Sequence, residues 1–130
     1  MLKPYETLVA VNKQFDLSCV GCHVTAFRKP GGSEVVELAD LEAIQCEVCH
    51  GPGSLHVVAP SKNPIPVARP TQERCLTCHT KDHSDTFDFV PYLRDILGPG
   101  HGAARRAELC SGPTGKELRS AALKKHSAAH

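Results

Sequence analysis

Cys19-Val20-Gly21-Cys22-His23, Cys46-Glu47-Val48-Cys49-His50 and Cys75-Leu76-Thr77-Cys78-His79 are three copies of one pattern, C-x-x-C-H. Two thiols three residues apart lie on one face of a helical turn. There they reach two vinyl groups on one edge of a porphyrin, and the histidine that follows turns under the ring to bind its iron. A single C-x-x-C is weak evidence, because thioredoxin-like redox pairs and zinc knuckles share it. Zinc sites would group the pairs in fours, which three pairs do not allow. Iron–sulfur clusters use other spacings, and a disulfide framework has no use for a histidine after every second cysteine. The pattern therefore predicts three haem c groups. They are held through thioethers at Cys19, Cys22, Cys46, Cys49, Cys75 and Cys78, with His23, His50 and His79 as proximal iron ligands.

The rest of the composition agrees. The chain has 130 residues with 7 cysteines, 8 histidines, no tryptophan and 5% aromatics, against 10 glycines and 10 prolines. This is too little bulky apolar material for an ordinary core, and small domains in that position recruit a metal or cofactor. The expected fold is mostly irregular with short α-helices, a single compact trihaem domain over residues 1–130 whose core is the three haems. A formal charge of +1 gives no footprint for nucleic acid. No apolar run approaches membrane-spanning length.

Further elements follow from local signals. Residues 4–12 read as a short helix opened by Pro4, with Tyr5, Leu8, Val9 and Asn12 on one face. Pro30-Gly31-Gly32 reads as a turn, 33–38 as a short strand, and Asp40 as the cap of a helix running from Leu41 into the second motif. Gly51-Pro52-Gly53 should stop that helix. Residues 59–70, with four prolines, read as an irregular crossing, and Thr71 as the cap of a helix carrying the third motif. Asp88 and Pro91 open a helix through Leu97, ended by Gly98-Pro99-Gly100. Thr114-x-x-Glu117 is a capping box for a helix through about Lys125. Cys110 has no following histidine and reads as a buried thiol.

His56, His83, His101, His126 and His130 remain as distal-ligand candidates, while Met1 is the sole methionine, so Met/His ligation cannot be general. Among these, His101, His56 and His83 are the expected distal iron ligands. The alternative for His83 is a loop residue bonded to Asp82 or Asp85. His126 and His130 read as surface residues near the terminus, or as ligands to a neighbouring chain.

The segments Cys19-Val20-Gly21-Cys22-His23-Val24-Thr25-Ala26-Phe27 with Gly31-Gly32, Cys46-Glu47-Val48-Cys49-His50-Gly51-Pro52-Gly53 with His56, and Cys75-x-x-Cys78-His79 resemble the cytochrome c-554 family. That family has four haems, and this chain matches the last three. The resemblance implies an open distal face at the haem on His23, and His101 as distal ligand to the haem at Cys46 and Cys49. It implies that His56 serves an upstream haem with no counterpart here. It also implies that the haem at Cys75 and Cys78 draws its histidine from a place where this chain has Met1. Three resolutions stand: ligation rewired through His56 and His83, a second chain completing the set, or a chain that is part of a longer protein.

The expected function is electron transfer through closely spaced haems, as a periplasmic or extracellular relay, with redox proteins as partners and no catalysis. Haem attachment takes place outside the cytoplasm, and Met1-Leu2-Lys3-Pro4-Tyr5-Glu6 lacks the apolar stretch of an export signal, so a leader removed or truncated is expected. Two alternatives are kept. One is an enzyme converting a small nitrogen compound at an open iron on His23, where Thr25 and Arg28 are the nearby polar side chains. The other is a homo-oligomer or filament module with ligands shared between chains.

Overall fold

The computed structural model describes residues 4–29, 41 and 43–128. The expected turn at Pro30-Gly31-Gly32, the strand at 33–38, the Asp40 cap, Met1 and His130 lie outside the described residues. The rest is helical and irregular. Among the described residues the only β-type pairing is at isolated bridge residues, Val24 and Ile44. The helices are α1 (Pro4–Ala10), α2 (Leu17–His23), α3 (Cys46–His50), α4 (Ser54–Val58), α5 (Gln72–Leu76), α6 (Phe89–Ile96), α7 (Ala103–Glu108) and α8 (Gly115–Ala128). A 3₁₀ turn at Pro99–His101 follows α6. The chain divides into two compact units, Met1–Arg74 and Cys75–His130.

In the first unit α1 packs on α2. Leu8, Val20 and Val24 are buried at the contact, and Tyr5, Cys19 and Phe27 close around them. Each buried aliphatic contributes roughly 2 kcal/mol. Of the apolar face expected on α1, Tyr5 and Leu8 are used, while Val9 is exposed. Asp16 starts α2 by accepting the Ser18 backbone N–H at 3.0 Å and the Ser18 hydroxyl at 2.5 Å.

The helix expected from Leu41 starts only at Cys46. The reason is Thr25, whose buried hydroxyl donates to the Ala43 carbonyl at 2.7 Å and accepts the Gln45 N–H at 3.0 Å. Its own N–H donates to the Leu41 carbonyl at 2.9 Å. Tertiary bonds thus hold these groups in an open path, with Ala43 at φ 77°, that no α-helix could follow. Gly51 stops α3 as expected. Its φ of 80° suits glycine, and a Cβ there would lie 3.3 Å from Pro66 Cβ.

In the second unit α6 packs on α8. Gly115 is buried against the Tyr92 ring, where a Cβ would stand 2.7 Å from Cε2. Arg94 ties the intervening loop, donating from Nε to the Leu109 carbonyl and from Nη1 to the Pro113 carbonyl, each at 2.6 Å. The capping box forms. Thr114 N–H donates to Glu117 Oε2 at 2.7 Å, and Glu117 N–H donates to Thr114 Oγ1 at 3.2 Å. The helix it opens runs past Lys125 to Ala128. Asp88 precedes α6 but gives no side-chain cap; its carbonyl accepts the Tyr92 N–H at 3.0 Å.

Candidate haem-binding site

The helical turns at the three motifs present their cysteines as the spacing requires. Cys19 to His23 end α2, and Cys46 to His50 are the whole of α3. At the third motif α5 ends at Leu76, yet the His79 N–H still bonds the Cys75 carbonyl at 2.9 Å, so the turn closes. Thr71 precedes α5, and its side chain bonds Glu73, which holds that carboxyl below its ordinary range. No cysteine is joined in a disulfide among the described residues. Cys46 is exposed and the other five motif cysteines are partly so, which leaves their sulfurs accessible to a vinyl group. Cys110, expected to be buried, is exposed, because it follows α7 in a loop that Arg94 holds through main-chain carbonyls alone.

The imidazoles carry the more telling geometry. His23 Nδ1 lies 2.7 Å from the Pro4 carbonyl, and His50 Nδ1 lies 2.6 Å from the Val67 carbonyl. A carbonyl can only accept, so in both rings Nδ1 carries the proton, which in a neutral imidazole leaves the lone pair on Nε2. Metal-bound histidines have this arrangement, with the second nitrogen oriented by an acceptor that raises the ligand's basicity. The structure therefore fits a haem iron on Nε2 at both positions.

His79 is held differently. Its ring stacks on Phe87 at 4.6 Å and 16°, and meets Tyr92 edge-on at 5.2 Å and 84°. Its Nδ1 is 3.0 Å from Ser84 Oγ, which is 3.4 Å from the Tyr92 hydroxyl; that hydroxyl in turn is 3.0 Å from Thr86 Oγ1. Burial first, and the Arg119 guanidinium second, push the His79 imidazole below its ordinary value, which keeps it neutral and able to ligate. Burial alone would raise the Tyr92 phenol, but bonds to Ser84, Thr86 and Arg119 outweigh it and leave the group below the usual tyrosine value.

The distal candidates separate by environment. His56 is half-buried on α4, and its Nδ1 is 2.8 Å from the Asn63 carbonyl, the same anchoring as at His23 and His50. It lines a cleft of about 380 Å³ with Pro52, Leu55, Asn63, Pro64 and Pro66. Asn63 is fixed by its own bonds, from N–H to the Ala59 carbonyl at 2.9 Å and from Nδ2 to the Leu55 carbonyl at 3.3 Å. His83 is exposed, and its Nδ1 meets Thr80 Oγ1 at 3.0 Å, not the carboxylates of Asp82 or Asp85. His101 is exposed at the end of the 3₁₀ turn, and His126 is exposed on α8.

Two polar side chains considered for chemistry near His23 have other uses. The Thr25 hydroxyl is buried and spent on backbone groups, and Arg28 is exposed with its Cζ 5.3 Å from the centre of the Phe27 ring. The residues that sequence reasoning missed are Pro4, Asn63 and Val67, which act through their main-chain carbonyls, and the Ser84, Thr86 and Tyr92 hydroxyls. Only the hydroxyls leave a trace in the sequence, as polar residues flanking the apolar start of α6. Among the described residues no three histidine, cysteine or acidic side chains converge on a point that could hold a bare metal ion. A haem asks each motif for one imidazole and two thiols.

Residues 3–51 match the family described as cytochrome c554 and c-prime. The match takes in the first two motifs. No curated protein and no solved structure matches the chain. Residues 3–51 are thus similar to those of a cytochrome c554-like c-type cytochrome, a haem protein of electron transfer.

Proposed function

We propose that the chain is a trihaem electron carrier, a single functional domain working as a relay in the periplasm or outside the cell. Haem c supplies the one-electron chemistry; the polypeptide fixes, shields and tunes it. Cys19 and Cys22, Cys46 and Cys49, and Cys75 and Cys78 each provide a thioether pair, and His23, His50 and His79 each offer Nε2. His56, His101 and His83 are the distal ligands in this proposal. His56 is the best supported of them, since its ring has the carbonyl-anchored tautomer of the motif histidines. The observation that carries the proposal is this anchoring at His23 and His50, repeated on two separate C-x-x-C-H turns.

Electron carriers meet their partners through small, weak contacts steered by charge. Haem propionates would add negative charge to a polypeptide near neutrality, so transfer rates to a redox partner should vary with ionic strength. The decisive experiment is a pyridine haemochrome assay on the purified protein combined with EPR of the oxidised form. Three haems per chain with low-spin signals are expected. Fewer than three haems would overturn the proposal.

A further inference from the structure

Resting on the trihaem proposal, we infer that Ser84 is a positioning residue that sets the donor strength of the His79 imidazole, making the third haem site electronically distinct from the other two. His23 and His50 give their Nδ1 protons to peptide carbonyls at 2.7 and 2.6 Å. His79 has only the Ser84 hydroxyl, at 3.0 Å. A hydroxyl is a weaker acceptor than a peptide carbonyl, and this contact is longer than the two carbonyl contacts. The weaker and longer the bond at Nδ1, the less anionic character reaches Nε2, and the less the ligand stabilises ferric iron. With like distal ligands, the site on His79 therefore has the highest potential of the three, and an electron entering the chain settles there.

The surrounding structure makes Ser84 a clean place to test this. Its backbone is fixed without its side chain: its N–H donates to the Thr80 carbonyl at 2.8 Å, and its carbonyl accepts the Phe87 N–H at 2.9 Å. The His79 ring plane is held by Phe87 and Tyr92, so removing the hydroxyl changes the acceptor and leaves the ring in place.

The test is spectroelectrochemical titration of the holoprotein and its Ser84→Ala, Ser84→Asp and Ser84→Thr variants, with ferric EPR g-values as a second readout. Ser84→Ala should shift one of the three potentials upward. Ser84→Asp, a stronger acceptor, should shift the same one downward, and Ser84→Thr should leave it near the parent value. Ser84→Asp alone suffices if Ser84→Ala does not assemble. The g-values of one haem should move with the potential. Potentials unmoved, moved in the same direction by both variants, or moved equally at all three haems would overturn the inference while leaving the trihaem proposal intact. A haem count below three in the parent protein would instead overturn the proposal on which it rests.

Discussion

Thr25 connects two haem motifs through a single hydroxyl, donating to Ala43 and accepting from Gln45, and it is 1% exposed. Replacement by valine keeps the shape and leaves a carbonyl and an N–H without their partner inside the protein. Each such group costs about 1–3 kcal/mol. Thr25→Val should therefore lower stability by about 2 kcal/mol or more in denaturant titration, while Thr25→Ser should lose less than half as much. A Thr25→Ser loss equal to or larger than the Thr25→Val loss would mean that the packing of the methyl group matters as much as the hydroxyl. Gly115 makes a steric claim of the same kind in the second unit. A Cβ there would lie 2.8 Å from Tyr92 Cγ, and overpacking of this sort costs about 1–3 kcal/mol. Gly115→Ala should lower the unfolding midpoint despite alanine's better helix propensity. Its double mutant with Tyr92→Leu should recover most of the loss. Neither residue's importance was legible beforehand. Thr25 was noticed for its nearness to His23, and nothing local in Gly115 reveals that an aromatic ring will cover it.

Among the elements, helix starts and stops were the most legible, because capping is local chemistry. Pro4 opens α1, Gly51 ends α3 and the Thr114–Glu117 box opens α8, all as the sequence indicates. The false start at Leu41 and the work of residues 59–70 were not legible, for one physical reason: backbone carbonyls look the same at every position. Val67 and Asn63 receive the His50 and His56 rings through their carbonyls, so a segment that reads as an irregular crossing supplies two imidazole anchors. The caps also set an acid limit. The Asp16 carboxyl is lowered below its ordinary 3.8 by hydrogen bonds, first from the Ser18 side chain and then from its N–H. Glu117 is lowered below its ordinary 4.5 by the Thr114 N–H first and its hydroxyl second. A depressed folded value means the stabilisation is fully present above the ordinary value and is lost as the pH falls through the folded one. The starts of α2 and α8 should hold at pH 6 and loosen below about pH 4. Faster amide exchange at Ser18 and Thr114 over that range would register it. Asp16→Asn, which can still accept, should remove the acid dependence at Ser18 while keeping the protection at pH 6.

At the scale of the whole molecule, the described residues bury few apolar side chains among themselves. Among the described residues the buried apolar side chains are Leu8, Val20, Val24, Ala43 and Pro91, whereas Phe15 is 72% exposed and Val57 and Val58 are 79% and 84% exposed. Porphyrin rings attached through six thioethers would supply both the missing apolar contact and cross-links that restrict the unfolded chain. Folding and cofactor attachment should therefore be one event, as in small domains that depend on a metal. Chain produced without haem attachment should show weak helical circular dichroism, poor amide dispersion by NMR and no cooperative thermal transition, while the haem-loaded protein melts cooperatively. Replacing one thioether pair at a time, as in Cys46→Ala with Cys49→Ala, should lower the melting temperature and remove one haem, with the structure around the missing site losing exchange protection first. A cooperative, well-dispersed apoprotein would mean that the polypeptide holds itself together, and the idea of a core built from cofactor would fail even if three haems were counted.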